Sequence, residues 1–181
     1  ISGVNSKNVF TLRKAIDAKK IYNCACDNKK AVVIGGGLLG LESAYNLTKL
    51  GLEVVVLERG PYLLQRQLDE HGAEILQNNL EEKGLNFELN ASTSEIIENN
   101  DLLKIKLVDD REINTDLILL STGVRSNIDL FKNTSIEVNK GVKVNEKMET
   151  SVNDVYAAGD VAEYKGRVYG IWPPSMKEGQ I

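Results

Sequence analysis

The sequence predicts an α/β fold: a three-layer, Rossmann-like arrangement in which a parallel sheet is combined with an antiparallel meander. Residues 31–34, 53–57 and 116–120 form short, nearly continuous apolar runs separated by helical patterns, which is typical of parallel strands buried on both faces. Residues 92–113 instead alternate apolar and polar side chains, which favours antiparallel strands with one exposed face.

The chain begins with an extended lead over residues 1–8, rich in turn residues. From Thr11 to Cys26, apolar residues recur at helical spacing, which predicts an amphipathic helix capped by Thr11. Asp27 and Asn28 break this pattern and lead into the first buried strand.

A glycine motif follows that strand, with Gly35, Gly37 and Gly40 spaced G-x-G-x-x-G. A helical pattern then runs to a stop at Gly51, and the next strand ends on the acidic Glu58 about 20 residues on. In dinucleotide-binding units, one such glycine makes the tight turn, one admits the pyrophosphate and one allows close helix–strand contact. The motif therefore predicts a dinucleotide site; the alternative is a glycine-rich turn of another doubly wound domain.

The remaining elements continue in order. Residues 59–62 form a turn at Pro61, a helix is predicted over 68–83 with Gly84 as its stop, and residues 86–89 form a short strand. The meander has turns at residues 99–101 and 109–110, and the strand at 116–120 leads to Gly123. A glycine there either lets a cofactor come close or is a plain strand-to-loop glycine.

Residues 128–181 do not continue this periodicity, so we place a domain boundary near residues 125–133. Short strands are predicted at 136–138, 142–144 and 155–157. The chain starts at Ile1 without methionine and stops at Ile181 within a predicted helix. We therefore expect it to be an excised piece of a longer protein.

Composition excludes several functions. The net charge of −4 provides no basic field for nucleic acid or a membrane surface, and apolar runs of about ten residues are too short to span a bilayer. We expect a cytoplasmic protein. Cys24 and Cys26 are expected to be reduced, structural thiols, and His71 to be an exposed surface residue. We predict neither a metal site nor a catalytic side chain.

Three motifs in order, at residues 35–42, 121–125 and 156–160, resemble the pyridine nucleotide-disulfide oxidoreductase superfamily. The likeness is to single-flavin reductases: rubredoxin or ferredoxin reductases, NADH oxidases and the flavoprotein part of NAD(P)H nitrite reductase. The tail at residues 170–176 is most similar to the nitrite reductase branch. The resemblance implies an FAD/NAD(P)-binding fold, with residues 1–28 as an outgoing FAD-domain connection, 29–125 as the NAD(P)-binding domain and 126–181 as an incomplete returning FAD segment.

The resemblance also assigns roles. Gly35, Gly37 and Gly40 would face the NADH pyrophosphate, Glu58 the adenosine ribose and Asp160 the ribityl chain of FAD. Glu42 would lie near the nicotinamide carboxamide and Gly123 beside the nicotinamide; otherwise Glu42 is a helix-dipole carboxylate and Asp160 a turn aspartate. The predicted cofactor-binding residues are Gly35, Gly36, Gly37, Leu38, Leu39, Gly40, Glu42, Glu58, Arg59, Gly123 and Asp160.

Glu58 should bond a free 2′-hydroxyl and repel a 2′-phosphate, which favours NAD(H); Arg59 beside it could partly accommodate the phosphate of NADP. Ser126 stands where this family commonly has proline, and the chain has one G-x-G-x-x-G where such flavoproteins have two. FAD binding is therefore expected of the parent protein.

The resemblance implies hydride transfer from NADH to FAD and onward transfer of electrons. The acceptor would be a redox protein or a small acceptor such as oxygen, or a nitrite reductase centre. The expected partners include neither nucleic acid nor membrane, and a homodimer is allowed. The alternative is a dinucleotide-binding module without activity of its own. A self-contained dehydrogenase with a Tyr156–Lys165 pair is disfavoured, because these residues lack i, i+4 spacing.

Overall fold

The computed structural model describes residues 1–99 and 102–181. These residues form two compact units, residues 1–123 and 124–181, so the units divide two residues before the predicted end of the NAD(P) domain. The roles assigned to residues 1–28, 29–125 and 126–181 stay predictions. The predicted turn at residues 99–101 falls partly on residues 100–101, which lie outside the described part.

Ten strands and four α-helices are present in the described residues. The strands are β1 (Val9–Thr11), β2 (Lys30–Ile34), β3 (Glu53–Leu57), β4 (Leu85–Glu88), β5 (Thr93–Asn99), β6 (Leu102–Leu107), β7 (Glu112–Thr115), β8 (Leu117–Leu120), β9 (Val142–Val144) and β10 (Ala162–Tyr164). The helices are α1 (Ala15–Cys26), α2 (Leu38–Lys49), α3 (Glu70–Glu81) and α4 (Trp172–Glu178).

The first unit is built on a parallel sheet with strand order β1-β8-β2-β3-β4. Because successive side chains of a strand point to opposite faces, Ala31 and Val33 pack with the buried faces of α1 and α2. Val32 and Ile34 pack on the opposite side, against the antiparallel sheet β5-β6-β7. Helices, parallel sheet and antiparallel sheet thus form three layers, which confirms the predicted fold.

The start of α1 differs from the prediction. Thr11 does not cap this helix; it ends strand β1 and pairs with Leu120 of β8. The helix begins at Ala15 with Lys14 as its N-cap residue, and the Asp17 carboxylate accepts hydrogen bonds from the Arg13 N–H (3.1 Å) and the Lys14 N–H (2.8 Å). The distant pairing with β8 prevails over the local helical pattern.

Helix α2 follows the glycine motif and ends before Gly51, as predicted, and α3 lies within its predicted range. The Asp69 side chain caps α3 by accepting a hydrogen bond from the Gly72 N–H at 2.8 Å. Such a cap stabilises a helix by about 1 kcal/mol. No helix within residues 1–99 and 102–181 is long and apolar enough to cross a membrane.

The second unit contains the parallel pair β9–β10, the 3₁₀ turn Gly159–Val161 and α4. Two predicted strands are wrong: Val138 and Tyr156 make only isolated bridges, to Val142 and Glu149. These segments turn back on themselves within a few residues, which leaves no length for a ladder. Helix α4 ends with Gly179 as its C-cap, so the helix predicted to reach Ile181 is shorter.

Candidate dinucleotide-binding site

The glycine motif forms the turn between β2 and α2, where three parallel strands end together. The Gly35 N–H donates to the Leu57 carbonyl at the end of β3, and the Ser121 N–H donates to the Ile34 carbonyl, each at 2.8 Å. The turn is thereby fixed to both neighbouring strands. In open α/β sheets, ligands bind outside the carboxyl ends of the strands, which is where this turn lies.

Each glycine of the motif has different surroundings. Gly35 has φ +115°, and a Cβ there would lie 2.3 Å from the Ser121 carbonyl oxygen. A Cβ on Gly40 would lie 2.0 Å from the Gly35 carbonyl oxygen, so the helix packs directly on the turn. A Cβ on Gly37 would meet no atom within 4 Å beyond its chain neighbours and its own helix. Gly35 and Gly40 therefore have structural roles, and Gly37 leaves an open face.

That open face lies at the N-terminus of α2. Gly37 is the N-cap residue and has no side-chain acceptor, so the first N–H groups of the helix are available to another partner. Leu38 and Leu39 follow it with exposed side chains. The helix dipole adds a partial positive charge at this end, and the combination suits an anion such as a pyrophosphate.

Glu58 closes one side of the turn. Its Oε2 accepts a hydrogen bond from the Gly36 N–H and its Oε1 accepts one from the Gly60 N–H, both at 2.8 Å. Glu58 is half-buried, whereas the adjacent Arg59 is exposed. This edge of the sheet therefore places backbone N–H donors beside one carboxylate.

Two further predicted residues belong to the same unit. Glu42 lies on α2 with an exposed side chain, and Gly123 follows β8 with φ +88°. A Cβ on Gly123 would have no atom within 4 Å other than its chain neighbours. Its positive φ explains why glycine is needed there whether or not a ligand is close.

Asp160 lies in the second unit, in the 3₁₀ turn after Gly159, and is exposed. The turn is held by a hydrogen bond from the Ser126 Oγ to the Asp160 carbonyl oxygen at 2.6 Å, and the Gly159 N–H donates to Glu178 Oε2 at 2.6 Å. The Ser126 side chain thus helps to fix the turn that carries Asp160.

Sequence reasoning missed three contributors to these two regions. The Ser121 carbonyl confines the glycine turn, Gly60 shares the Glu58 carboxylate, and Glu163 supports the second unit. The Glu-x-Gly spacing of residues 58–60 was a usable signal for Gly60, because an acidic side chain often bonds a backbone N–H two residues on. Nothing local in the sequence indicates Ser121, since its contact depends on strand order.

Glu163 is a buried carboxylate, 3 % exposed. It accepts hydrogen bonds from the Asn139 Nδ2 and the Gly141 N–H, each at 2.9 Å. Burial acts to raise the pKa of this carboxyl, but the hydrogen bonds from Asn139 and the loop backbone outweigh it and lower the pKa below 4.5. The side chain therefore anchors the loop before β9 to β10.

The remaining candidate groups are dispersed. The His71 side chain is 82 % exposed, Cys26 is exposed and Cys24 is half-buried. Among residues 1–99 and 102–181, no group of three or more His, Cys, Asp or Glu side chains could hold a metal ion.

The parallel sheet, the glycine turn at its carboxyl edge and the acidic residue after the next strand define a Rossmann-like α/β protein. The chain belongs to the pyridine nucleotide-disulphide oxidoreductase family, whose model matches residues 1–179.

Similar proteins include the nitrite reductase [NAD(P)H] of Bacillus subtilis, 37% identical over 181 residues, which cover 100% of this chain and 22% of that protein. The NADH-rubredoxin oxidoreductase of Clostridium acetobutylicum is 34% identical, with 98% of this chain and 43% of that protein covered. Among solved structures, an NAD-dependent persulfide reductase from A. fulgidus superposes with a TM-score of 0.83 at 32% identity, covering 90% of this chain and 31% of that chain. The chain thus spans less than half the length of these relatives.

Proposed function

We propose that this chain is the NAD(H)-binding part of a FAD-dependent oxidoreductase, which passes a hydride from NADH to FAD and electrons on to an acceptor. The observation that carries the proposal is the open face at Gly37, which lies at a helix N-terminus in the same turn that the Glu58 carboxylate closes. The names of the relatives, a nitrite reductase that uses NAD(P)H and an NADH-rubredoxin oxidoreductase, support the same class of reaction.

In this proposal the pyrophosphate lies against Gly37 and the N–H groups of Leu38, Leu39 and Gly40. Glycine at position 37 keeps the space beside this helix end open. The binding energy comes from backbone donors and the helix dipole. Glu42 and Gly123 would then border the nicotinamide end of the cofactor.

The charge at Glu58 sets the preference between the two nicotinamide cofactors. A carboxylate accepts hydrogen bonds from the free 2′- and 3′-hydroxyls of NADH, whereas it repels the 2′-phosphate of NADPH. Arg59 adds one exposed cation beside it, which attracts the phosphate through solvent and is therefore weakened by screening. We infer a preference for NADH.

The residues present fit one part of an FAD site. Asp160 offers an exposed carboxylate on a turn fixed by Ser126 and Glu178, which suits hydroxyl groups of a ribityl chain. Gly159, with φ +81°, holds the turn that presents it. We assign the flavin's remaining contacts to the parent protein.

The proposed partners are NADH and an electron acceptor: a redox protein, oxygen or a nitrite reductase centre. We place the protein in the cytoplasm, and a homodimer stays a prediction.

Calorimetric titration of the purified chain with NADH and with NADPH tests the proposal. We expect NADH to bind at least about ten-fold more tightly, a difference of about 1.4 kcal/mol. No measurable NADH binding would refute the nucleotide site, and equal affinities would refute the role of Glu58 in cofactor choice.

Absorbance separates an active flavoprotein from a dinucleotide-binding module without activity. A colourless chain that still binds NADH supports the module, with FAD held only by the parent protein. A yellow chain that bleaches on addition of NADH shows that this chain alone retains FAD and transfers hydride to it.

A further inference from the structure

The Glu58 carboxylate already has two backbone partners before any nucleotide is considered. Its two oxygens accept the N–H groups of Gly36 and Gly60, both at 2.8 Å. Gly36 belongs to the glycine turn and Gly60 to the loop after β3, and both glycines are buried. One side chain therefore joins the two segments that form the edge of the candidate site.

The backbone of Glu58 is itself held by hydrogen bonds. The Glu58 N–H donates to the Glu88 carbonyl and the Glu58 carbonyl accepts from the Ala91 N–H, both at 2.9 Å. The backbone of Glu58 is thus held by the end of β4 and the segment that follows it. A carboxylate on this rigid support can hold the glycine turn in place.

The turn is also enclosed where it meets Glu58. A Cβ on Gly36 would lie 3.0 Å from Leu63 Cδ2 and 3.1 Å from both the Cβ and the Oε2 of Glu58. The Gly36 backbone is thus packed against Leu63 and the Glu58 side chain itself. Loss of the carboxylate would leave a buried donor unsatisfied, which proteins rarely tolerate without rearrangement.

We propose that Glu58 is a positioning residue that holds the glycine turn against the loop after β3 in the cofactor-free protein, in addition to contacting the ribose. A carboxylate has about four acceptor positions, so two remain for ribose hydroxyls after the two backbone bonds. This inference rests on the proposed nucleotide site for its effect on affinity, but the geometry of the turn stands independently of it.

The consequence concerns cofactor choice. If Glu58 contacted only the ribose, its removal would weaken the binding of NADH and strengthen the binding of NADPH. Glu58 also holds the glycine turn, which receives the pyrophosphate that NADH and NADPH share. Its removal should therefore weaken the binding of both cofactors. A change of preference towards NADPH would then require a side chain that restores both backbone bonds.

Amide hydrogen exchange of the cofactor-free chain, followed residue by residue by NMR, is the direct test. We expect the Gly36 and Gly60 amides to exchange at least about ten-fold faster in Glu58→Ala than in the wild type. Glu58→Gln keeps the side-chain shape but has one acceptor oxygen, so one of the two amides should be released. Glu74→Ala, which removes an exposed carboxylate from α3, is the matched control and should change neither amide.

Unchanged exchange at Gly36 and Gly60 in both Glu58 variants would overturn the inference. Circular dichroism checks that the variants fold, and Glu58→Gln serves if Glu58→Ala does not. Titrations complete the test: both cofactors should bind Glu58→Ala at least about five-fold more weakly, and tighter NADPH binding would also overturn it. If the wild type binds no NADH, the proposed function fails, while the amide exchange still decides the role of Glu58.

Discussion

Replacing Gly37 with alanine adds one methyl group to the face where we place the pyrophosphate. Beyond its chain neighbours and its own helix, no atom lies within 4 Å of that position, and the φ of −78° suits any residue. The folded chain loses only a better N-cap residue, which costs about 0.5–1 kcal/mol. For a chain of this size that lowers Tm by only a few degrees.

The effect on NADH should be much larger than the effect on folding. A methyl group in the path of the phosphates resembles an overpacked core, for which the typical cost is about 1–3 kcal/mol. That range corresponds to a roughly 5- to 150-fold weaker affinity. Calorimetric titration with NADH measures the change directly.

Gly40 provides the matched control within the same motif. A Cβ there would lie 2.0 Å from the Gly35 carbonyl oxygen, and a backbone atom cannot rotate away as a flexible side chain can. Alanine regains about 1 kcal/mol of helix propensity, but the clash should exceed this gain. Gly40→Ala should therefore lower the free energy of unfolding, measured by chemical denaturation.

The two variants together separate binding from folding. Gly37→Ala should bind NADH more weakly at a nearly unchanged Tm. Gly40→Ala should mainly lower the free energy of unfolding. If Gly37→Ala bound NADH like the wild type, the pyrophosphate would not lie on this face and the placement of the cofactor would be wrong.

Three further substitutions or treatments test the description of single side chains. Arg59→Ala should change the free energy of unfolding by less than about 0.5 kcal/mol, because the side chain is exposed. Titration should show that it weakens the binding of NADPH by up to about five-fold and leaves the binding of NADH unaffected. The pKa of Glu163 is lower in the folded state, so its contribution to stability is present above pH 4.5 and is lost as the pH falls below that value. Glu163→Gln should destabilise the protein. Chemical denaturation at several pH values should show a flatter acid dependence for this variant than for the wild type. Cys26 should react with iodoacetamide before Cys24, because burial raises the pKa of the Cys24 thiol; equal rates by mass spectrometry would contradict the burial of Cys24.

The sequence predicted the elements whose signals are local. The strands around the glycine motif, helices α2 and α3 and the antiparallel sheet all show their periodicity within a window of ten or so residues. The glycine spacing predicted the turn, and the structure adds a distinct physical reason for Gly35, Gly37 and Gly40. The assignment of these residues to a cofactor stays a prediction.

The elements that were missed depend on distant contacts. Strand β1 is three residues long and exists because it pairs with β8, more than a hundred residues later; no periodicity can be read from three residues. The hydrogen bond from the Gly36 N–H to Glu58 likewise joins two segments whose proximity follows from the strand order. Residues 136–138 had strand propensity, but only Val138 makes a bridge.

The position of β8 has a consequence for how the chain reaches its native state. This strand lies between β1 and β2, yet it is the last strand of the parallel sheet to be synthesised. Until residue 120 has left the ribosome, β1 has no partner within the sheet and β2 has an open edge. Such non-local pairing slows folding and exposes strand edges to other chains. A nascent chain halted before β8 should therefore be sensitive to proteases and prone to aggregation. A chain extended past Gly123 can insert β8 between β1 and β2 and complete the sheet.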